Sequence, residues 1–140
     1  MELRYATLND LQGVYKLICE LEMTGMPIIE FESIYSQNIN RNDVHYLVVE
    51  EKGELIAFAS MHIQSLLHHS ADVAEIQELI IQNDFRGKGT GSKLIDKLVE
   101  ISKEKKCELI EVSCNRKRID SHEFYEHNGF SKSHYKFTLR

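Results

Sequence analysis

The sequence predicts an α/β fold, with a mixed central sheet of six to seven strands and helices on both faces. Three observations lead to this prediction. Apolar periodicity gives the element order β-α-α-β-β-β-α-β-α-β. Strands dominate the middle of the chain. A strand–helix–strand crossover follows them, and such a crossover joins parallel strands of one sheet. The length of 140 residues indicates one domain over residues 1–140.

The first half of the chain is expected to contain a strand, two helices and a β-hairpin. Asn9 or Asp10 caps the first helix, and Gly25 and Pro27 end it. A turn at residues 52–53 closes the hairpin. The expected elements are a strand at 3–7, helices at 11–21 and 31–39, and hairpin strands at 44–51 and 54–63.

The second half is expected to complete the sheet. A strand over residues 75–82 ends at Asn83 and Asp84, and a helix begins after three glycines. A loop at 66–70 precedes that strand. The remaining expected elements are a strand at 107–113, a helix at 118–127, a turn at 128–129 and a last strand at 130–139.

A glycine-rich turn joins the strand over 75–82 to its helix. Gly87, Gly89 and Gly91 expose backbone N–H groups, because glycine has no side chain to shield them. The helix N-terminus adds unpaired donors and a partial positive charge. Together they predict an anion site suited to a phosphate or pyrophosphate. Three cations lie beside it in the sequence: Arg86, Lys88 and Lys93.

The spacing of these glycines excludes two common phosphate loops. A Walker A loop requires Lys and then Ser or Thr directly after its second glycine, whereas Ser92 and Lys93 follow Gly91 in the reverse order. The Rossmann fingerprint would place its third glycine at Ser92. The pattern that remains is Arg86-x-x-Gly89-x-Gly91.

Composition narrows the class of protein. A hydrophobic content of 42% and a charged content of 28% are ordinary for a globular protein. No apolar run approaches transmembrane length and the N-terminus lacks a signal peptide, so we expect a cytoplasmic location and no membrane partner. Three cysteines without a Cys-x-x-Cys pair predict neither a disulfide framework nor a zinc site. A net charge of −5 argues against a nucleic-acid partner.

Three motifs resemble those of the GNAT superfamily of N-acetyltransferases. The Arg86-x-x-Gly89-x-Gly91 loop is similar to its acetyl-CoA pyrophosphate loop. Residues 124–130 resemble a second motif of the superfamily, which precedes the last strand, and Asn115 fits a third motif. Their order and spacing imply a GNAT fold along the whole chain.

Further stretches resemble the aminoalkylphosphonate N-acetyltransferases within that superfamily. That family acetylates the amine of small aminoalkylphosphonates, and metal dependence is reported in it. The resemblance implies acetyl-CoA as co-substrate and a small-molecule amine as acceptor, and it leaves room for a divalent metal and a homodimer. Residues 23–40 depart from the family pattern. The similar stretches are residues 15–21, 67–69, 75–79, 91–94, 117–125 and 133–138.

The superfamily resemblance also implies where acetyl-CoA binds. Backbone groups of three strand residues would follow the pantetheine arm, which enters where the strands over 75–82 and 109–113 separate. The glycine loop would wrap the pyrophosphate. The implied cofactor-binding residues are Leu79, Ile80, Ile81, Arg86, Gly87, Lys88, Gly89, Thr90, Gly91 and Asn115.

Two residues are candidates for proton transfer. Glu78 lies in an otherwise apolar strand, where burial disfavours the charged form of a carboxyl group and suits it to act as a general base. Glu75 and Glu111 remain alternatives. Tyr125 lies where many GNAT enzymes keep a tyrosine near the cofactor sulfur, and a phenol can protonate a departing thiolate. A salt-bridged Glu78 and a core Tyr125 are the competing structural interpretations.

Basic and histidine side chains are candidates for binding the anionic group of a substrate. Arginine can bind a phosphonate or carboxylate through two parallel hydrogen bonds, whereas a plain surface loop would leave the same side chains solvated. A peptide N-acetyltransferase and a non-catalytic acyl-CoA-binding module are the alternative functions. The substrate-binding candidates are His68, His69, Arg118 and His134, and the histidines, together with His62, are also candidate metal ligands.

Overall fold

Five strands and four α-helices make up the fold, and the computed structural model describes all of residues 1–140. Short 3-10 turns at Leu8–Asp10 and Asn83–Phe85 precede the first helix and follow the fourth strand. The bounds are β1 (Glu2–Tyr5), α1 (Leu11–Glu22), α2 (Ile28–Asn38), β2 (Val44–Glu51), β3 (Glu54–Leu66), β4 (Ala71–Ile81), α3 (Thr90–Glu104), β5 (Leu109–Val112) and α4 (Ile119–His127).

The strands form one mixed sheet in the order β1-β2-β3-β4-β5. Neighbours from β1 to β4 are antiparallel, whereas β4 and β5 run parallel because α3 carries the chain back between them. The α/β class and the mixed sheet are therefore confirmed. Strands β3 and β4 are longer than predicted, since residues 64–66 pair with residues 71–73 up to the hairpin turn.

Two apolar clusters lie on opposite faces of this sheet. Alternate residues of a strand point to opposite faces, so Val48 packs with α1 and α2 while Leu47 packs with α3. Helices therefore cover both faces, as predicted. The α1/α2 cluster contains Val14, Leu17, Ile18, Tyr35, Val44, Tyr46, Val48, Phe58 and Ile80. The α3 cluster contains Leu47, Val49, Ile56, Ala57, Ala59, Met61, Ala74, Ile76, Leu94, Ile95, Leu98 and Ile101, and Phe124 and Tyr125 of α4 pack at its edge.

Strand β4 contains one extra residue opposite β3. Ser60 pairs with Glu78, but the next residue of β3 pairs with Ile76, so Gln77 has no partner. After such a β-bulge, each side chain points to the face opposite to the one that regular alternation along the strand would give it. Glu78 and Ile80 therefore point to the α1/α2 face, although Ile76 points to the α3 face.

Asp10 is the N-cap residue of α1, but its carboxylate does not cap that helix. It accepts hydrogen bonds from the Arg4 guanidinium at 2.8 and 3.0 Å and from the Thr7 N–H at 2.8 Å. Arg4 also donates to Glu50 Oε1 at 2.7 Å. The hydrogen bond from Arg4 lowers the pKa of Asp10 below its usual value. One cation thus joins β1, β2 and the start of α1.

The predicted last strand is wrong. Residues 130–139 form no strand, so the sheet has five strands rather than six to seven. We name residues 131–140 the C-terminal arm. Its apolar residues alternate as in a strand, yet Tyr135, Phe137 and Leu139 are 92%, 93% and 99% exposed. Alternation makes a segment able to pair, but a strand exists only where a neighbour supplies the hydrogen bonds.

Candidate functional site

Strands β4 and β5 separate partway along their length. They pair only from Val73 with Leu109 to Ile76 with Val112, whereas β4 continues to Ile81. Residues 77–81 of β4 therefore have no strand beside them on the β5 side. An unpaired strand edge offers backbone N–H and C=O groups to a ligand. The widening predicted from the sequence is present, and Leu79, Ile80 and Ile81 lie along it.

The loop between β4 and α3 has the backbone of an anion site. Gly87 and Gly89 adopt φ angles of 76° and 84°, a left-handed conformation that favours glycine. Gly89 is the N-cap of the 15-residue helix α3, and no side chain caps its first turn. The first N–H groups of α3 therefore stay free to bind an anion. Arg86 Nε donates to the Ile81 carbonyl at 2.9 Å, which closes the loop against the end of β4.

Gly91 allows a close packing contact in addition to its place in the loop. A Cβ atom at this position would lie 2.9 Å from two atoms of the Phe124 ring, which is closer than real contacts allow. The absent side chain therefore lets α4 pack against the start of α3. Thr90 beside it is buried. This contact holds the residues around Phe124 next to the glycine loop.

Tyr125 lies in a small aromatic group on the α3 face. Its ring makes edge contacts with Phe124 and Phe130, at centroid distances of 5.2 and 5.6 Å. Burial raises the pKa of Tyr125 to about 12; the nearby Cys114 also raises it, and Arg118 opposes them. The phenol therefore carries its proton throughout the neutral range.

Glu78 lies in a row of polar side chains on the α1/α2 face. Tyr46, Ser60 and Glu78 are neighbours across β2, β3 and β4. Ser60 Oγ donates to Glu78 Oε1, and the Glu78 N–H donates back to Ser60 Oγ at 3.0 Å. Glu78 is only partly buried. The row fixes one carboxylate oxygen and leaves the other without a protein partner of its own.

Sequence reasoning missed Ser60. It is completely buried, and it is the one hydroxyl side chain in the otherwise apolar run over residues 55–61. A buried hydroxyl needs a hydrogen-bond partner, so its presence in that run was a usable signal. The neighbouring polar residues Gln77 and Glu78 were a second signal, because two adjacent polar residues break strand alternation where a bulge lies.

The two alternative bases lie on the same face as Glu78. Glu75 is the Cα partner of His62 in β3 and of Glu111 in β5, and it accepts a hydrogen bond from Gln77 Nε2 at 2.8 Å. Three carboxylates therefore gather where β4 and β5 separate. Their negative charge attracts a cationic group such as a protonated amine.

Asn115 and Arg118 lie in the loop between β5 and α4. The Asn115 side chain accepts from the Lys117 N–H at 2.9 Å, and its carbonyl lies 2.8 Å from His122 Nε2. Arg118 Nη2 donates to the Leu21 carbonyl at 3.4 Å, and Arg118 is otherwise exposed. Burial raises the pKa of both Cys114 and Tyr125, and Arg118 lies close enough to both to oppose that rise. A cation thus borders the phenol.

Two of the predicted substrate residues are not brought to this place. His68 and His69 lie in the β3–β4 turn, where His69 Nδ1 is 2.8 Å from Glu108 Oε2. From there, β4 runs about 23 Å to Glu78, at about 3.3 Å per residue. His134 lies in the C-terminal arm, where its Nδ1 is 2.7 Å from Ser133 Oγ. No group of three or more His, Cys, Asp or Glu side chains is arranged to hold a metal ion.

None of the helices combines the length and apolar character needed to cross a lipid bilayer. Helices α1 and α3 each bury one apolar face against the sheet.

Proteins with similar sequences include characterised N-acetyltransferases. The chain is 39% identical to the aminoalkylphosphonate N-acetyltransferase of Salmonella typhimurium, over 98% of this chain and 89% of that protein. It is 26% identical to the glucosamine 6-phosphate N-acetyltransferase of Arabidopsis thaliana, over 86% of this chain and 82% of that protein.

Solved structures share the fold. The aminoglycoside N-acetyltransferase AAC(6')-Iy in complex with CoA matches with a TM-score of 0.90 at 17% identity, over 99% of this chain and 93% of that one. The Arabidopsis glucosamine-6-phosphate N-acetyltransferase matches with a TM-score of 0.85 at 23% identity, over 99% and 97% of the two chains. The model of the acetyltransferase (GNAT) family matches residues 11–130. The chain therefore belongs to the acetyltransferase (GNAT) family and is an acetyl-CoA-dependent N-acetyltransferase.

Proposed function

We propose that this protein transfers the acetyl group of acetyl-CoA to the primary amine of a small aminoalkylphosphonate. The observation that carries the substrate class is the 39% identity to an aminoalkylphosphonate N-acetyltransferase over 98% of the chain. A match of that extent covers both the glycine loop and the residues beyond it. The charges around the split between β4 and β5 support the same substrate class.

The residues present fit acetyl-CoA. The free N–H groups at the start of α3 and the loop over residues 86–91 suit the pyrophosphate. The open edge of β4 at Leu79, Ile80 and Ile81 suits an extended pantetheine chain, which can hydrogen-bond to it as a strand would. Asn115 borders the other side of the split. When bound, acetyl-CoA supplies the thioester carbonyl that the amine attacks.

Two side chains are assigned the proton transfers. Glu78 accepts the proton from the substrate ammonium, with Ser60 Oγ holding one of its carboxylate oxygens. Tyr125 donates its proton to the thiolate, and its raised pKa keeps that proton available at neutral pH. The two groups are on opposite faces of the sheet beside the same opening. Proton acceptance and proton donation thus occur on opposite sides of the reacting carbonyl.

The two charged ends of the substrate are assigned to different groups. The ammonium lies toward Glu75, Glu78 and Glu111, which supply negative charge. The phosphonate lies toward Arg118, which retains free guanidinium donors.

An amine panel tests the proposed function. Purified protein and acetyl-CoA are mixed with 2-aminoethylphosphonate, with β-alanine, with propylamine or with a peptide bearing a free N-terminus, with and without a divalent metal. Free thiol release is measured. We expect the phosphonate to give the highest kcat/KM. Faster turnover of the peptide would support a peptide acetyltransferase instead, and no thiol release with any amine would support a non-catalytic acyl-CoA-binding module.

Replacing Gly89 by valine should remove acetyl-CoA binding. A β-branched residue is strained at a φ angle of 84°, so the loop must change shape. Acetyl-CoA at 100 times its Kd stabilises the native state by about 2.7 kcal/mol, which raises the Tm of the unchanged protein by several degrees. The thermal shift of Gly89→Val should be close to zero. Gly25→Val is the control, because nothing lies within 4 Å of a Cβ there and, unlike Gly89, Gly25 does not adopt a left-handed φ angle. A normal shift in Gly89→Val would contradict the assignment of the loop.

Replacing Arg118 by alanine should weaken binding of the phosphonate. Hydrogen bonds to charged groups contribute about 1.5–3 kcal/mol, so KM for 2-aminoethylphosphonate should rise roughly 10- to 100-fold. KM for propylamine should change little, since that amine has no anionic group. Lys117→Ala is the control, because Lys117 is an exposed neighbouring cation that bonds to Asn115 only through its backbone. Equal changes in KM for both amines would show that Arg118 supports the structure and does not bind the phosphonate. The Tm of the variant shows whether losing the hydrogen bond to the Leu21 carbonyl destabilises the protein.

A further inference from the structure

The polar row around Glu78 extends beyond Ser60 to the second helix. Tyr46 of β2 is the Cα partner of Ser60, and Ser60 is the Cα partner of Glu78, so the three side chains lie side by side on the α1/α2 face. Ser60 is completely buried between its neighbours, and Tyr46 is 9% exposed. Asn38, the last residue of α2, donates from Nδ2 to the Tyr46 hydroxyl at 2.9 Å. The row therefore connects the end of α2 with the proposed base.

The hydrogen bonds of Ser60 leave one freedom to the Glu78 carboxylate. The Glu78 N–H donates to Ser60 Oγ at 3.0 Å, and the Ser60 hydroxyl donates its own proton to Glu78 Oε1. One hydroxyl thus holds both the backbone and the side chain of residue 78. The terminal torsion of a glutamate side chain is soft, so the carboxylate plane can still rotate about the oxygen that Ser60 holds. That rotation moves the second oxygen, which has to face the substrate.

The Tyr46 hydroxyl has a fixed direction. Because the Asn38 amide donates to its oxygen from the α2 side, the phenol proton is directed away from Asn38. Burial raises the pKa of Tyr46, the hydrogen bond from Asn38 opposes that rise, and the negative charge of Glu78 adds to it. The phenol therefore keeps its proton at neutral pH. The positive end of its O–H dipole is attracted to the Glu78 carboxylate, and this attraction is strong in a site that excludes water.

The neighbouring tyrosine of the same aromatic stack points elsewhere. Tyr35 stacks on Tyr46 at a centroid distance of 5.4 Å, but its hydroxyl donates to the Thr7 carbonyl at 2.7 Å. Burial raises the pKa of Tyr35, and the carboxylate that adds to this rise is Asp10. The two phenols therefore share their packing but face different charges.

We propose that Tyr46 is a positioning residue for the acetyl transfer and that Asn38 sets the direction of its hydroxyl. The O–H dipole of Tyr46 limits the rotation of the Glu78 carboxylate, so that the oxygen that takes the proton faces the opening between β4 and β5. Tyr46 itself neither gives nor takes a proton. A dipole that is oriented before the reaction costs no reorganisation during it. The end of α2 thereby influences the reactivity of a residue in β4. This inference rests on the proposed role of Glu78 as the base.

Steady-state kinetics of Tyr46→Phe in two backgrounds tests the proposal, with acetyl-CoA and the best amine of the panel. In the otherwise unchanged protein, kcat should fall about tenfold and KM should stay within about twofold, because a misplaced reacting group costs rate and not binding. In Glu78→Gln, adding Tyr46→Phe should change kcat by less than about twofold, because residues that act through one group are not additive. Tyr35→Phe is the matched control. It removes a hydroxyl of the same stack and should retain kcat within about twofold.

Asn38→Asp is a second variant, and it decides the question if Tyr46→Phe does not fold. It keeps the volume of the side chain but accepts a hydrogen bond where Asn38 donates one. The Tyr46 proton then turns toward α2, so kcat should again fall about tenfold, and only while Glu78 is present.

Three results would overturn the positioning role of Tyr46. The first is an unchanged kcat in Tyr46→Phe, or in Asn38→Asp where Tyr46→Phe does not fold. The second is a loss of kcat that persists undiminished in the Glu78→Gln background, which means that Tyr46 acts independently of Glu78. The third is an equal loss in Tyr35→Phe, which means that packing of the stack is responsible. Full kcat in Glu78→Gln alone is a different result, since it overturns the proposed base and this inference with it.

Discussion

Replacing Glu78 by glutamine is expected to lower kcat about 10²- to 10⁴-fold, which is the usual contribution of a general base. Glutamine keeps the size of the side chain and still accepts a hydrogen bond from Ser60 Oγ, but it cannot take a proton from the substrate ammonium. KM should change much less than kcat, because the loss falls on the transition state. Steady-state kinetics with the best amine of the panel measures both constants.

The two neighbouring carboxylates provide the comparison for Glu78. Glu75→Gln and Glu111→Gln change the same charge on the same face of the sheet, close to the opening between β4 and β5. Both should retain kcat within about tenfold if their role is only to attract the amine. A large loss of kcat in Glu75→Gln or Glu111→Gln, with Glu78→Gln active, would transfer the role of base to that residue.

Replacing Tyr125 by phenylalanine is expected to lower kcat and kcat/KM together by about 10²-fold or more, with KM nearly unchanged. The substitution keeps the ring and its edge contacts with Phe124 and Phe130. No hydrogen bond to the Tyr125 hydroxyl contributes to its raised pKa, so removing the hydroxyl should disturb the structure little. The Tm of the variant, measured alongside its kinetics, controls for packing. Full kcat in a folded Tyr125→Phe protein would return Tyr125 to a structural role.

The raised pKa of Tyr125 also predicts how stability depends on pH. A phenol whose pKa is raised from 10.0 to about 12 on folding stabilises the native state. This stabilisation is fully present at pH values below the pKa of the phenol in the unfolded protein. That contribution is lost as the pH rises from 10.0 through about 12. Over this window, urea denaturation should show a steeper loss of stability for the unchanged protein than for Tyr125→Phe. Parallel losses in the two proteins would contradict the burial of the hydroxyl.

Local sequence chemistry was sufficient to predict the glycine loop. The left-handed φ angles of Gly87 and Gly89 and the uncapped start of α3 depend on residues adjacent in the chain. The start of the helix after Pro27 was predicted less accurately. It begins at Ile28 rather than at residue 31, because proline suits the position just before a helix and does not require a gap after it.

Features that depend on distant partners were harder to predict. The alternation of the C-terminal arm indicated a strand, but no periodicity tells which edge a strand will join. The histidines of the β3–β4 turn were expected beside the substrate, yet strand β4 is longer than predicted and carries His68 and His69 to the other end of the sheet. The contact between Gly91 and Phe124 joins residues 33 positions apart, and no local pattern in the sequence indicates it. Ser60 was overlooked because its partner, Glu78, lies 18 positions away in the chain.

The bulge at Gln77 makes chain length more critical than residue identity at this position. The Gln77 side chain is exposed, so most substitutions there should be tolerated. Deleting Gln77 would restore regular pairing and leave Glu78 opposite Ser60, with Leu79 and Ile81 still in the α3 cluster. The deletion would remove the bend and the extra twist of the bulge, which lies where the pairing of β4 with β5 ends at Ile76. Variation among descendants of this sequence should therefore include many different residues at position 77 but few deletions of that residue, because the bulge helps β4 to part from β5.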